Sequence, residues 1–400
     1  MKSKILFPNL IALCLLGLAL THPGFAATGA APSSFDLYAA KSPETFYAFQ
    51  PLMLAPASEN YQRRSEASAV NLKSGNVLVA WCDLVGRSDN ARGYVTAQEF
   101  SPKGEPVGAA RTIFPTPEGG LNTLSPAIRR LKDGRLGVAF SYRMSTKEAS
   151  RQFSVSDDEG KTWSRPVLVS DGSDSYMTGC NDRLTVLDSG RLIAPLHCTA
   201  DWDKHHLHVK VARSDDNGKT WKTTSQKIEL PLVRWPDDQP HIESGCVEPG
   251  VAQRADGSLL MTMRTAMGTQ FFSESFDQGE SWTSPRSLEV TSPQAPANLT
   301  RIPGSNDLLL VWTPNYESSG RNGGKRNTIM ACVSTDGGRT WPRARWKVLV
   351  HDPARSTDYA SVLYREGEVW MTLRISSGAG ILEGQTGTGM IRVPLDWLRQ

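Results

Sequence analysis

The motif Ser-x-Asp-x-Gly-x-Thr/Ser-Trp occurs four times in this chain, running from Ser156 to Trp163, Ser214 to Trp221, Ser275 to Trp282 and Ser334 to Trp341. The tryptophans are 58, 61 and 59 residues apart. A fixed period of this length marks a repeated supersecondary unit. Within each copy, Asp and Gly suit a tight turn, the Asp side chain can bond back to nearby backbone amides, and Trp anchors the turn in apolar surroundings. The aspartates of these boxes are therefore read as turn residues and kept out of the candidate site.

A second repeat extends the first. Turn-then-apolar-strand segments occur at Ser74–Leu78, Asp133–Gly137, Ser189–Ile193, Asp256–Leu260, Asn306–Leu310 and Glu366–Trp370, the fifth without a Gly at the turn. The first unit carries a degenerate box, Ser101–Pro106, and the last has none. Six units of about 60 residues, short alternating strands and no long amphipathic helix point to an all-β fold, a six-bladed β-propeller with Asp-box hairpins. A β-sandwich is the runner-up, but it leaves the period unexplained.

Lys2 and Lys4, an apolar run from Ile5 to Leu20 and the small-x-small sequence Gly24-Phe25-Ala26 read as an export signal over residues 1–26. Residues 27–400 are then expected to form a single propeller domain, exported to the periplasm or secreted. No later stretch is long and apolar enough for a membrane span. Without residues 1–26 the formal charge drops from +3 to +1, which provides no field for nucleic acid or anionic lipid. Cysteines at 82, 180, 198, 246 and 332 remain, an odd number whose spacing fits no zinc pattern.

Function is sought in polar residues that break the repeat, because loops of a propeller converge at one end of the central channel. Glu248 and Arg264 bracket the fourth turn-strand. Arg326 precedes the strand leading into the fourth box, and Asp358-Tyr359-Ala360-Ser361 precedes the last turn-strand. The first unit offers Arg63 and Arg64, then Asp83 and the loop Arg87-Ser88-Asp89-Asn90. Asn181-Asp182-Arg183 has no counterpart in the other units and is a candidate channel lining. His205, His206 and His208 read as a solvated loop feeding a strand, not as metal ligands.

With these residues in hand, the chain resembles the sialidase (neuraminidase) superfamily, in its bacterial branch with Asp-box (BNR) repeats. The resemblance implies that Tyr359 is the nucleophile, Glu248 its partner, Asp89 the general acid and Asp83 the second choice for that role. It also implies a clamp of Arg64, Arg264 and Arg326 on the carboxylate of a terminal sialic acid or related nonulosonic acid. Guanidinium forks suit a carboxylate. A neutral phenol avoids the repulsion that this anion would impose on a carboxylate nucleophile, and sialidases are among the exceptions to the paired-carboxylate rule.

The family's first arginine usually opens a Phe-Arg-Ile-Pro segment, whereas this chain has Tyr61-Gln62-Arg63-Arg64-Ser65-Glu66-Ala67. Arg64 is taken as the match, although counting back from Gly75 reaches Ser65 or Glu66. Were Glu66 to face the site, the three-arginine clamp would fail and a sugar without a carboxylate would become a plausible substrate. The expected activity is retaining exo-glycosidase chemistry on a glycan with a terminal acidic sugar, with no metal, nucleotide or redox cofactor. The alternatives are a glycosidase or lyase for a different sugar on the same propeller, and a non-catalytic glycan-binding propeller.

Overall fold

In the computed structural model, which describes residues 42–232, 243–318, 323–380 and 383–400, each of the four repeated turns joins two antiparallel strands. The expected export segment, residues 1–26, lies outside the described residues. In the first box Ser156 Oγ donates to Asp158 Oδ1 (2.8 Å) and accepts from Gly160 N (2.8 Å). Asp158 also accepts from Thr162 N (2.8 Å) and Thr162 Oγ1 (2.6 Å). The same set of bonds recurs in the other three boxes. The bonds from Thr162 hold the Asp158 carboxyl at about 2, so this acid serves the turn.

The box glycine is also a packing requirement. Gly218 has φ +85, and a Cβ there would meet Phe153 of the preceding unit at 1.9 Å. In the degenerate first box, backbone bonds from Gly104 N to Ser101 O and from Ser101 N to Glu105 O (both 2.8 Å) close the turn, and Ser101 Oγ accepts from Lys103 N and Glu105 N (both 3.2 Å).

The turn-strand segments join the first strand of each unit to its second. The pairs are Arg63–Asn71 with Val77–Leu84, Asn122–Arg130 with Leu136–Arg143 and Thr185–Val186 with Leu192–Thr199. They continue with Val247–Gln253 and Leu259–Arg264, Asn298–Arg301 and Leu308–Trp312, and Thr357–Arg365 and Glu368–Ser376. In the fifth turn, which lacks the usual Gly, Gly304 supplies the left-handed residue (φ 70). First strands neighbour one another in chain order, and Thr357–Arg365 returns beside Arg63–Asn71. Phe46–Tyr47 pairs with Lys347–His351 of the fifth ladder, and Leu52–Ala55 pairs with Thr386–Pro394 and so completes the last one. The result is a closed, all-β propeller.

Its core is divided among the interfaces between consecutive ladders. Phe153, Leu192 and Ala194 share one such cluster, and Val311, Leu349 and Val362 share another. Cys82, Cys180, Cys198, Cys246 and Cys332 are all buried and free. Among the described residues no helix is long and apolar enough to cross a membrane.

Candidate active site

The inner strands are irregular where they approach the channel mouth. Pairing skips between Ser65 and Ser68, Leu124 and Ala127, Val247 and Gly250, and Asp358 and Ser361. Inside these skips sit Glu66 (φ 57), Ser125 (φ 55), Glu248 (φ 46) and Tyr359 (φ 52), all left-handed. Side-chain-bearing residues disfavour that conformation, and bulges of this kind re-aim a side chain and concentrate at functional sites. All four residues line one cavity of about 800 Å³.

Two of them are joined directly. Tyr359 Oη donates to Glu248 Oε1 at 2.7 Å, and both side chains are buried. Glu248 Oε2 accepts from Arg264 Nη1 at 2.6 Å, and Arg264 Nη2 reaches Glu243 Oε2 at 3.1 Å. Burial pushes the Glu248 carboxyl up, but Arg264 and other cations outweigh it and hold Glu248 at about 2. His197, also on the cavity wall, is lowered to about 4 by burial and is neutral at neutral pH. Arg264, in direct contact, and Arg326 are therefore the cations that keep Glu248 ionised there. Burial and the adjacent Glu248 push the Tyr359 phenol well above its ordinary value, so it stands protonated with its proton aimed at Glu248.

The first unit brings Arg63 and Asp89 to the same cavity. Arg63 is 2% exposed; its Nη1 pairs with Asp89 Oδ1 and its Nη2 with Glu66 Oε1 (2.9 Å). The Asp89 side chain is half exposed to the cavity. Its backbone oxygen accepts from Arg143 Nη1 and Asn122 Nδ2 (both 2.7 Å), which pins the loop.

Arg64 and Asp83 do not line the cavity. They pair with each other (Nε to Oδ1, 3.0 Å), and Asp83 also accepts from Trp81 Nε1 (2.8 Å) and Thr96 Oγ1 (2.7 Å). The physical reason is the period of two along a strand: adjacent residues face opposite sides, so only one of Arg63 and Arg64 can point inward. Arg63 takes the place expected of Arg64, and Glu66, one bulge residue further on, faces the cavity as well.

Arg326 lines the cavity, with Nη1 on Asp358 Oδ2 (2.8 Å) and Nη2 on the carbonyl of Gln294. The same Asp358 carboxylate is gripped by Arg374 through Nε and Nη2 (2.7 Å for the latter). Arg374 places its guanidinium 5.3 Å from the centre of the Tyr359 ring, and Arg326 lies 6.0 Å from it. Sequence reasoning missed Arg374, Glu243 and Ser125. For Ser125 a signal existed: Glu66, Ser125 and Glu248 each stand nine residues before a turn glycine, at 75, 134 and 257. Arg374 sits mid-strand with no motif around it.

Asn181, Asp182 and Arg183 brace the channel. Asp182 accepts from Ser68 Oγ (2.7 Å), Arg129 Nη1 (2.6 Å), Asn298 Nδ2 (2.9 Å) and Val362 N (3.1 Å), joining four other units to its own. Asn181 Nδ2 reaches the carbonyls of Ala67 (2.7 Å) and Tyr359 (3.3 Å) and so backs the Tyr359 bulge. Of the three histidines, His205 lines the cavity, His206 Nδ1 meets Ser244 Oγ (2.8 Å), and His208 Nε2 meets Asp174 Oδ2 (3.1 Å). Lys210 Nζ shares that Asp174 oxygen at 2.9 Å.

Residues 108–371, well over half of the chain, match the BNR repeat-like domain. The chain belongs to the BNR repeat-like family. Over 199 residues it is 27% identical to a sialidase of Bacteroides fragilis (strain YCH46). That match covers 46% of this chain and spans about a third (32%) of the relative.

Among solved structures it is similar to a protein of unknown function from Dyadobacter fermentans, with a TM-score of 0.68 and 16% identity over 88% of this chain and 100% of that one. The NanB sialidase of Streptococcus pneumoniae follows at 0.65 and 13%, over 87% and 71%. The intramolecular trans-sialidase of Ruminococcus gnavus stands at 0.64 and 14%, over 88% and 98%. This BNR protein shares its propeller fold with the sialidases.

Proposed function

We propose that this BNR protein is a retaining exo-glycosidase of sialidase type that hydrolyses terminal sialic acid, or a related nonulosonic acid, from glycans. The observation that carries the reading is the 2.7 Å contact of Tyr359 Oη with Glu248 Oε1 in the cavity that Arg63, Arg264 and Arg326 also line. In this reading Tyr359 Oη attacks the anomeric carbon and passes its proton to Glu248, while Asp89 protonates the leaving oxygen. Asp89 then takes a proton from water as the water oxygen bonds to the anomeric carbon; the bond to Tyr359 breaks and Tyr359 recovers its proton from Glu248. The arginines face the substrate carboxylate. A carboxylate on Arg264 draws that guanidinium away from Glu248, making Glu248 a stronger base once substrate is bound. Residues 1–26 are proposed to export the protein to the periplasm or the medium.

The assignment of Glu243 and Glu66 to Arg264 and Arg63 favours a second reading, a glycosidase for a less acidic sugar. A fluorogenic sialoside separates the two. Release of the aglycone by the native protein and not by Tyr359→Phe supports the sialidase. Cleavage of neutral aryl glycosides alone would discard it.

A further inference from the structure

Glu66 is the acidic bulge residue that the proposed chemistry leaves unused. Like Glu248 and Tyr359 it interrupts the pairing of a first strand, adopts a left-handed backbone (φ 57) and lines the cavity. It is 5% exposed, its Oε1 meets Arg63 Nη2 at 2.9 Å, and its Oε2 accepts from Ser125 Oγ at 2.5 Å. A backbone that L residues disfavour is retained here to direct a carboxylate onto an arginine inside the site.

That placement leaves Arg63 fully engaged. Its Nε donates to Ser65 Oγ (2.9 Å), its Nη1 pairs with Asp89, and its Nη2 pairs with Glu66. A guanidinium fork whose two ends hold carboxylates has no free edge for a bidentate third. The other two arginines are matched as well, Arg264 by Glu248 and Glu243, Arg326 by Asp358. A substrate carboxylate therefore enters by exchange, not by filling a vacant clamp. Glu248 is committed to Tyr359 as well, and Asp358 to Arg374. Glu66 has a hydroxyl, that of Ser125, as its other hydrogen-bond partner. Burial pushes its carboxyl above the usual range despite Arg63.

We propose that Glu66 is a specificity-determining residue, an internal carboxylate that competes with the substrate's own for Arg63. The inference rests on the acidic-sugar reading of the site and refines it. Simple carboxylates lose this exchange because they bring nothing beyond the charge they replace. An acidic sugar succeeds by adding its hydroxyl and amide contacts across the rest of the cavity. The cavity thus selects sugar acids over small organic acids of the same charge.

The test is calorimetric binding of N-acetylneuraminic acid, with acetate as the simple-acid probe, to the native protein, Glu66→Gln, Arg63→Met and the double variant Arg63→Met/Glu66→Gln. Glutamine keeps the size of Glu66 and an acceptor for Ser125, and folding is checked by thermal unfolding. Glu66→Gln is expected to bind the sugar acid about tenfold more tightly, the scale of one charge-assisted hydrogen bond. Acetate should become a measurable ligand, and the gain should disappear in the Arg63→Met background. Equal or weaker binding by Glu66→Gln overturns the proposal while leaving the acidic-sugar reading in place if the native protein still binds. No binding of the sugar acid to any variant overturns both.

Discussion

The Tyr359 phenol donates to Glu248 Oε1 across 2.7 Å, although the two residues lie 111 positions apart in the chain. Both occupy left-handed bulges of inner strands, and Arg264 holds Glu248 ionised to receive the proton. Tyr359→Phe is expected to lower kcat/KM for a sialoside by about three orders of magnitude or more, as loss of a nucleophile does. Glu248→Gln should lower it by about 10²–10⁴, the usual reach of a general base. Steady-state kinetics on the purified variants checks both.

Arg264 sets the acid side of the pH profile. The folded-state carboxyl of Glu248 is held at about 2, below its ordinary 4.5, so stabilisation from its ionised form is present above about 4.5 and is lost as pH falls toward 2. In Arg264→Met, burial acts with less opposition and the Glu248 carboxyl rises. The acid limb of kcat/KM should then move to higher pH, and urea stability at pH 5 should rise relative to pH 8, because a carboxyl raised above its unfolded value favours the folded state while it is protonated. An acid limb that stays in place would show that Arg264 does not govern Glu248.

Asp89 can be diagnosed by its leaving group. An aryl aglycone departs as a stable anion and needs little protonation, whereas a sugar alcohol needs a proton. Asp89→Ala should therefore cost about 10²–10⁴ in kcat/KM on a sialyl-oligosaccharide and far less on an aryl sialoside. Arg143 acts through this loop, since it donates to the Asp89 carbonyl at 2.7 Å. Arg143→Met should show the same leaving-group pattern at about a tenth of the size, with partial rescue by Arg143→Lys.

The box glycines should matter to stability and not to chemistry. Gly218→Ala puts a Cβ 1.9 Å from Phe153 at φ +85 and is expected to cost about 2–4 kcal/mol in urea unfolding. The kcat of the folded protein should be unchanged, because the box lies away from the cavity.

The propeller was legible because its units repeat: box turns and turn-strand segments recur with a period that a single alternative fold cannot accommodate. Glu248, Arg264, Arg326, Tyr359 and Asp89 were legible because they break that repeat, and all five line one cavity. Arg64 was misplaced for Arg63 because the period of two in a strand decides which neighbour points inward, and the bulge at Glu66 obscures the count. Arg374 and Glu243 could not be read, since their roles come from contacts made only after distant strands are brought together. The aspartates of the boxes, the most repeated acids in the chain, close turns as their residue types imply.

The central claim is that a sugar acid is transferred to Tyr359, and it can be caught directly. Asp89→Ala should still be glycosylated by an aryl sialoside but should lack the base that activates water, so the covalent species accumulates. Acid-quenched protein is digested and its peptides are mapped by mass spectrometry. The expected result is one sugar-acid residue attached to the peptide containing Tyr359 and absent from Asp89→Ala/Tyr359→Phe. Aglycone release by the native enzyme with an adduct on a different residue, or an adduct that survives the loss of Tyr359, would contradict it.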